Sequence, residues 1–150
     1  MANTEKLVIK AINRPHGADE EKLLEWFCAV FDLSGSGNLE PEILKEIAGS
    51  SINGIGVTSM ELKEKLETPR STVIYHLNRF IYSGIVIRKG RRYYLRSNDM
   101  ASTMEELQSE ILHEFNRLID FAQRLDQMKK RNRLSNLPRK PLQSSATYRK

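Results

Sequence analysis

A mainly α-helical fold carrying one small β-hairpin wing is predicted by three observations. Apolar residues recur at helical spacing in several separate stretches of the 150-residue chain. The period then changes to two short β-prone runs, Ile85-Val86-Ile87-Arg88 and Tyr93-Tyr94-Leu95-Arg96, joined through Lys89-Gly90-Arg91-Arg92. Finally, a long apolar repeat from Met104 to Leu125 demands a partner helix for its stripe. The order of these parts is that of a winged helix-turn-helix with a long C-terminal dimerisation helix.

The N-terminal segment, residues 1–54, is read as helical apart from an ambiguous apolar stretch at Lys6 to Ile12 and a turn at Arg14-Pro15-His16-Gly17. Helix is expected from about Asp19 to Phe31, with Leu23, Leu24, Phe27, Val30 and Phe31 facing inward. A second helix is expected from Glu40 to Ala48, and the glycine- and serine-rich Gly49 to Gly56 as a loop beside a short strand at Ile55-Gly56-Val57 that could join the wing sheet. Residues 55–98 hold the motif. Thr58-Ser59-Met60-Glu61 has capping-box spacing and opens a short helix. Thr68 is expected to cap the next helix with Pro69 at its first position, where a missing N–H does no harm. Val73, Leu77, Phe80 and Ile81 form that helix's apolar stripe, and Gly84 stops it.

Ser102-Thr103-Met104-Glu105 opens a long helix over 99–128, whose residues Met104, Leu107, Ile111, Phe115, Leu118, Ala122 and Leu125 form a near-heptad dimerisation seam of coiled-coil type. Beyond it, 129–150 mixes prolines, serines and basic residues without periodicity, and reads as a disordered basic tail.

The net charge of +5 is unevenly placed, because eight cations and no acid follow Asp126, which leaves the preceding residues at −3. Basicity is concentrated in the wing and the tail, a placement that favours a polyanionic partner. No apolar run approaches bilayer length and no signal peptide is legible, so a cytoplasmic protein without membrane contact is expected. The single cysteine, Cys28, excludes an intramolecular disulfide and a Cys-pair metal site. No glycine-rich phosphate loop, nucleophile grouping or His-Glu helical pair gives an enzyme a footing, and no cofactor is implied. Asp32 to Ile43 imitates a calcium loop, but Ile43 stands where a bidentate glutamate belongs.

Opposite its apolar stripe, the second motif helix carries Arg70, Ser71, Thr72, Tyr75, His76, Asn78 and Arg79, the mixture of guanidinium, hydroxyl and amide groups that meets phosphates and base edges in a major groove. The hairpin adds Arg88, Lys89, Arg91 and Arg92 with no carboxylate between them. Together, Ser71-Thr72-Val73-Ile74-Tyr75-His76-Leu77, Ser83-Gly84-Ile85-Val86 and Arg88-Lys89-Gly90-Arg91-Arg92-Tyr93-Tyr94-Leu95 resemble the winged helix of the ArsR-type bacterial and archaeal repressors over roughly residues 55 to 98.

That resemblance implies a homodimer on double-stranded DNA, with the second motif helix in the major groove and the wing on the backbone or minor groove. It does not carry over the paired metal-sensing cysteines of some members, so no metal is implied, and the effector is not named by any residue pattern. Each residue also has a plainer reading: His76 bonding within the motif, Arg91 and Arg92 as a charged edge against sheet aggregation. A protein-docking adaptor with a tail that touches nucleic acid nonspecifically is the other function class left open.

Overall fold

The computed structural model describes residues 4–17, 19–35 and 37–137. Arg139, Lys140, Arg149 and Lys150 of the expected tail, and Ser36 of the calcium-like loop, lie outside them. Among the described residues the elements are α1 Glu20–Val30, α2 Leu39–Ile52, β1 Val57–Thr58, α3 Ser59–Leu66, α4 Arg70–Tyr82, β2 Val86–Lys89, β3 Arg92–Leu95 and α5 Met100–Ser135.

Local chemistry explains most of the boundaries. Asp19 accepts a hydrogen bond from Lys22 N at 3.0 Å and starts α1. Thr58 and Glu61 form the capping box, with Thr58 Oγ1 accepting from Glu61 N at 3.0 Å and Glu61 Oε1 accepting from Thr58 N at 2.8 Å; such a cap contributes about 1 kcal/mol. Glu67, in the left-handed region at φ 49°, ends α3. Thr68 does not cap α4 as expected: its hydroxyl donates to Leu66 O at 2.9 Å, satisfying one of the carbonyls left open at the end of α3, and Pro69 occupies the cap position.

The strands form one antiparallel sheet in the order β1-β3-β2, with Val57 opposite Tyr93 and Arg88 also opposite Tyr93. Pairing of Lys89 with Arg92 leaves Gly90 and Arg91 as the turn. Gly90 has φ +64°, a value tolerated without cost only by glycine and required at the first central position of a tight hairpin turn.

Helix α2 runs further than the sequence suggests, through Gly49 and on to Ile52. Two serines explain this: Ser50 Oγ donates to Ile47 O at 3.1 Å, and buried Ser51 accepts at Oγ from Leu95 N at 2.8 Å, tying the last turn of α2 to β3. Tertiary anchoring outweighs the poor helix propensity of Gly49 and the serines. The core joins Ile43, Leu44 and Ile47 of α2, Leu62 of α3, Val73, Leu77 and Phe80 of α4, and Val86, Tyr93 and Leu95 of the sheet.

Residues up to Ser109 make one compact unit, and Glu110 onward a second. Across the expected seams at 54/55 and 98/99, α2 and the first turns of α5, with buried Thr103 and Leu107, pack with the motif. Within the second unit, α5 continues through Lys129, Lys130, Arg131 and Arg133 to Ser135, where a disordered tail was expected. Those residues are good helix formers, and cations suit the negative end of the helix dipole.

Candidate functional site

Helix α4 presents three faces. Val73, Leu77 and Phe80 are buried against α2, α3 and the sheet. A second face meets the loop between α1 and α2. The third carries Ser71, Tyr75, Asn78 and Tyr82, all exposed and spaced so as to form one stripe along the helix. Tyr75 is 60% exposed. Arg70 stands at the exposed N-terminal end, its Nε 3.4 Å from Ser59 Oγ and its two terminal nitrogens without a partner among the described residues. Thr72 is half-buried at the margin.

Two residues expected on the open surface belong to the second face instead. Arg79 donates from Nη2 to Asp32 O at 2.8 Å and from Nη1 to Leu33 O at 3.4 Å, and its guanidinium lies 5.8 Å from the Tyr75 ring centroid. These bonds fasten α4 to the α1–α2 loop, so the guanidinium expected to meet phosphate or guanine is engaged within the chain. His76 is also turned inward, with Nδ1 3.2 Å from Oε2 of buried Glu40. Burial pushes the imidazole pKa below its ordinary value; the Glu40 charge opposes this and the Arg79 charge adds to it. His76 is thus largely packed against Glu40 rather than set on the open stripe.

The sign of the resulting pH dependence follows. A lowered folded pKa means that the unfolded chain binds the extra proton first, so stability should fall as the pH drops below about 6.5, the unperturbed histidine value, and level off below the folded pKa. The carboxylates held low, Asp32 by Lys10, Glu61 by the Thr58 amide and Asp99 by the Ser102 amide, titrate at lower pH. Urea unfolding at pH 7.5 and 5.5 should show the loss in the native chain and less of it in His76→Gln; an equal loss in both would assign it elsewhere.

At the hairpin, Arg88, Lys89 and Arg91 are exposed. Arg88 Nε donates to Gly90 O at 2.8 Å, and its guanidinium lies 5.6 Å from the Tyr93 ring centroid, while Lys89 Nζ lies 5.4 Å from that of Tyr94. These contacts shape the wing without neutralising it. Arg92 differs: its Nη1 donates to Gly56 O at 3.3 Å and lies 3.5 Å from Glu61 Oε1, so the capping carboxylate of α3 partly cancels its charge. The absence of acid within the hairpin sequence hid that pairing.

The expected seam of α5 is divided. Leu107, 2% exposed, lies in the core of its own chain, and Met104 packs against that core, so neither is available to a second subunit. Ile111 is half-buried, and Phe115, Leu118, Ala122 and Leu125 are exposed. Leu112, Ile119, Phe121 and Met128 are exposed as well and widen the apolar surface beyond the seam read from the sequence.

Sequence reasoning missed Glu40 and Glu61 as partners of His76 and Arg92. Glu40 looks like an ordinary acid in the first turn of α2, and nothing local announces its burial. The Cys28 thiol is pushed up to about 12, chiefly by burial and then by the Glu40 charge, which makes it inert as a thiolate. No cluster of histidine, cysteine and acidic residues among the described residues has metal-ligand geometry, and no described helix is long and apolar enough to cross a membrane. No family model, curated protein or solved structure matches the chain.

Proposed function

We propose that this chain is a winged helix-turn-helix transcriptional regulator that binds double-stranded DNA as a homodimer, with α3 and α4 as the motif and β2–β3 as the wing. The observation that carries the reading is the conjunction of an exposed polar stripe on α4 with three exposed cations at the hairpin that no carboxylate among the described residues matches. Arg88, Lys89 and Arg91 supply affinity through counter-ion release, and Arg70, Ser71, Tyr75 and Asn78 supply sequence preference. The resemblance to ArsR-type repressors supports the same reading. A mobility-shift titration against genomic fragments at physiological salt tests it, with sharp, competitor-resistant bands expected.

Asn78 is the residue on the open stripe best suited to base recognition, since its amide matches the donor and acceptor of adenine N6 and N7. Asn78→Ala is expected to cost about 1–3 kcal/mol on the preferred site and little on random duplex. Equal losses on both would move Asn78 to the phosphate backbone. The adaptor reading is favoured by one observation, the exposure of Tyr75 and Tyr82 on the same stripe; bands that disappear with modest nonspecific competitor would support it.

A further inference from the structure

Between the extended segment preceding α1, α1 itself and the start of α2 lies a cleft of about 550 Å³. Ile12, Pro15, Trp26 and Pro41 give it apolar walls, and Glu25, Glu40 and Lys22 also line it. The size falls in the range of small-molecule sites, and the pattern of apolar walls with a few polar groups is theirs too. Trp26 is held in place by its Nε1–H, which donates to Ile12 O at 2.9 Å. It is the chain's single tryptophan.

Glu40 is the unusual member of the lining. It is only 3% exposed, its Oε2 lies 3.2 Å from His76 Nδ1, and its Oε1 is buried without a hydrogen-bond partner. The loop crosses so near that a Cβ built on Gly35 would fall 2.5 Å from Oε2. Native proteins seldom leave a buried carboxylate oxygen unmatched, since the desolvation cost is then not offset. The partner that the unmatched Oε1 lacks is a hydrogen-bond donor, and for a carboxylate oxygen the strongest is a cationic one.

We propose that this cleft binds a small organic monocation with an apolar body, its ammonium group received by Glu40 and its body lodged against Trp26 and the two prolines. The ammonium supplies the donor that Glu40 Oε1 lacks, and the Trp26 ring gives the apolar body a flat wall. The site also reaches α4. Glu40 touches His76, and the α1–α2 loop that borders the cleft supplies the carbonyls that hold Arg79. Occupancy therefore acts on the helix that carries Asn78 and alters its affinity for DNA. This last clause rests on the DNA-binding reading; the cleft itself does not.

The test uses the full chain with 2-phenylethylammonium as the probe, its neutral counterpart 2-phenylethanol, and Trp26 emission as the readout. A saturable emission change is expected with the ammonium, and at least tenfold weaker binding with the alcohol or with Glu40→Gln, the size of a lost charge-assisted hydrogen bond. Glu64→Gln, an exposed carboxylate on α3 outside the cleft, should stay within about twofold, because it contributes little. No saturable change, equal binding of the alcohol, or full binding by a folded Glu40→Gln chain overturns the proposal. The ammonium and alcohol comparison on the native chain decides the matter even if Glu40→Gln does not fold.

Anisotropy of a labelled duplex, with and without saturating 2-phenylethylammonium, then reads the link to α4. A change of about threefold or more in the native chain and none in Glu40→Gln supports it, that being the low end of ordinary allosteric coupling. An unchanged duplex affinity overturns the link, and failure to bind duplex under any condition overturns the DNA reading while the emission experiment still decides the cleft.

Discussion

Replacing Arg88, Lys89 and Arg91 together with alanine is expected to lower duplex affinity about 100-fold at 0.15 M salt, and to reduce the slope of log affinity against log salt by about 2–3. The estimate follows from counter-ion release, in which each phosphate neutralised contributes a slope of roughly 0.9. These three cations are the exposed ones, with Lys89 and Arg91 at the turn and Arg88 just before it. Arg92 is left intact because Glu61 already lies 3.5 Å from it. Folding should survive, since the hydrogen bond given up, Arg88 Nε to Gly90 O, lies within the hairpin and is exposed. Sequence preference should also persist, because backbone contacts carry none directly. Filter-binding at four salt concentrations measures both quantities, and a triple variant with an unaltered slope would remove the wing from the interface.

Leu118→Glu is expected to convert the proposed homodimer into a monomer. In the second unit, Ile111, Phe115, Leu118, Ala122 and Leu125 succeed one another at alternating intervals of four and three, and Leu118 remains 59% exposed. Leu112, Ile119, Phe121 and Met128 are exposed as well, so large apolar side chains recur along this helix in water, a pattern that suits an interaction surface. Loss of one buried leucine costs about 1.5–3 kcal/mol, and two-fold symmetry counts it twice, before the added cost of burying a carboxylate. The dimer dissociation constant should therefore rise at least about 100-fold. Operator affinity should fall with it, because a dimer joins two half-sites at a high effective concentration. Sedimentation velocity at tens of micromolar reads the assembly state; a native chain that stays monomeric there would contradict the homodimer outright.

What could be read from the sequence were features whose causes lie within a few residues. The Thr58 and Glu61 box, the turn at Gly90 and the helical period of α4 and α5 each depend on neighbours along the chain, so composition and spacing suffice to place them. A short strand at Val57 joining the wing sheet was legible as well, and it pairs with β3. The apolar faces of the helices told which side is core, but not which polar side remains open.

Tertiary structure decided that second question, because a cation is available to a ligand only if nothing distant in the sequence has claimed it. His76 and Arg79 share the polar half of α4 with Asn78, yet the fold brings Glu40 and the Asp32 and Leu33 carbonyls against them and leaves Asn78 in solvent. Leu107 and Leu118 likewise occupy similar places in one repeat, and only packing buries the first in its own core and leaves the second exposed. Local periodicity determines which elements form; long-range packing determines which of their polar and apolar groups are satisfied within the chain and which are left for a partner.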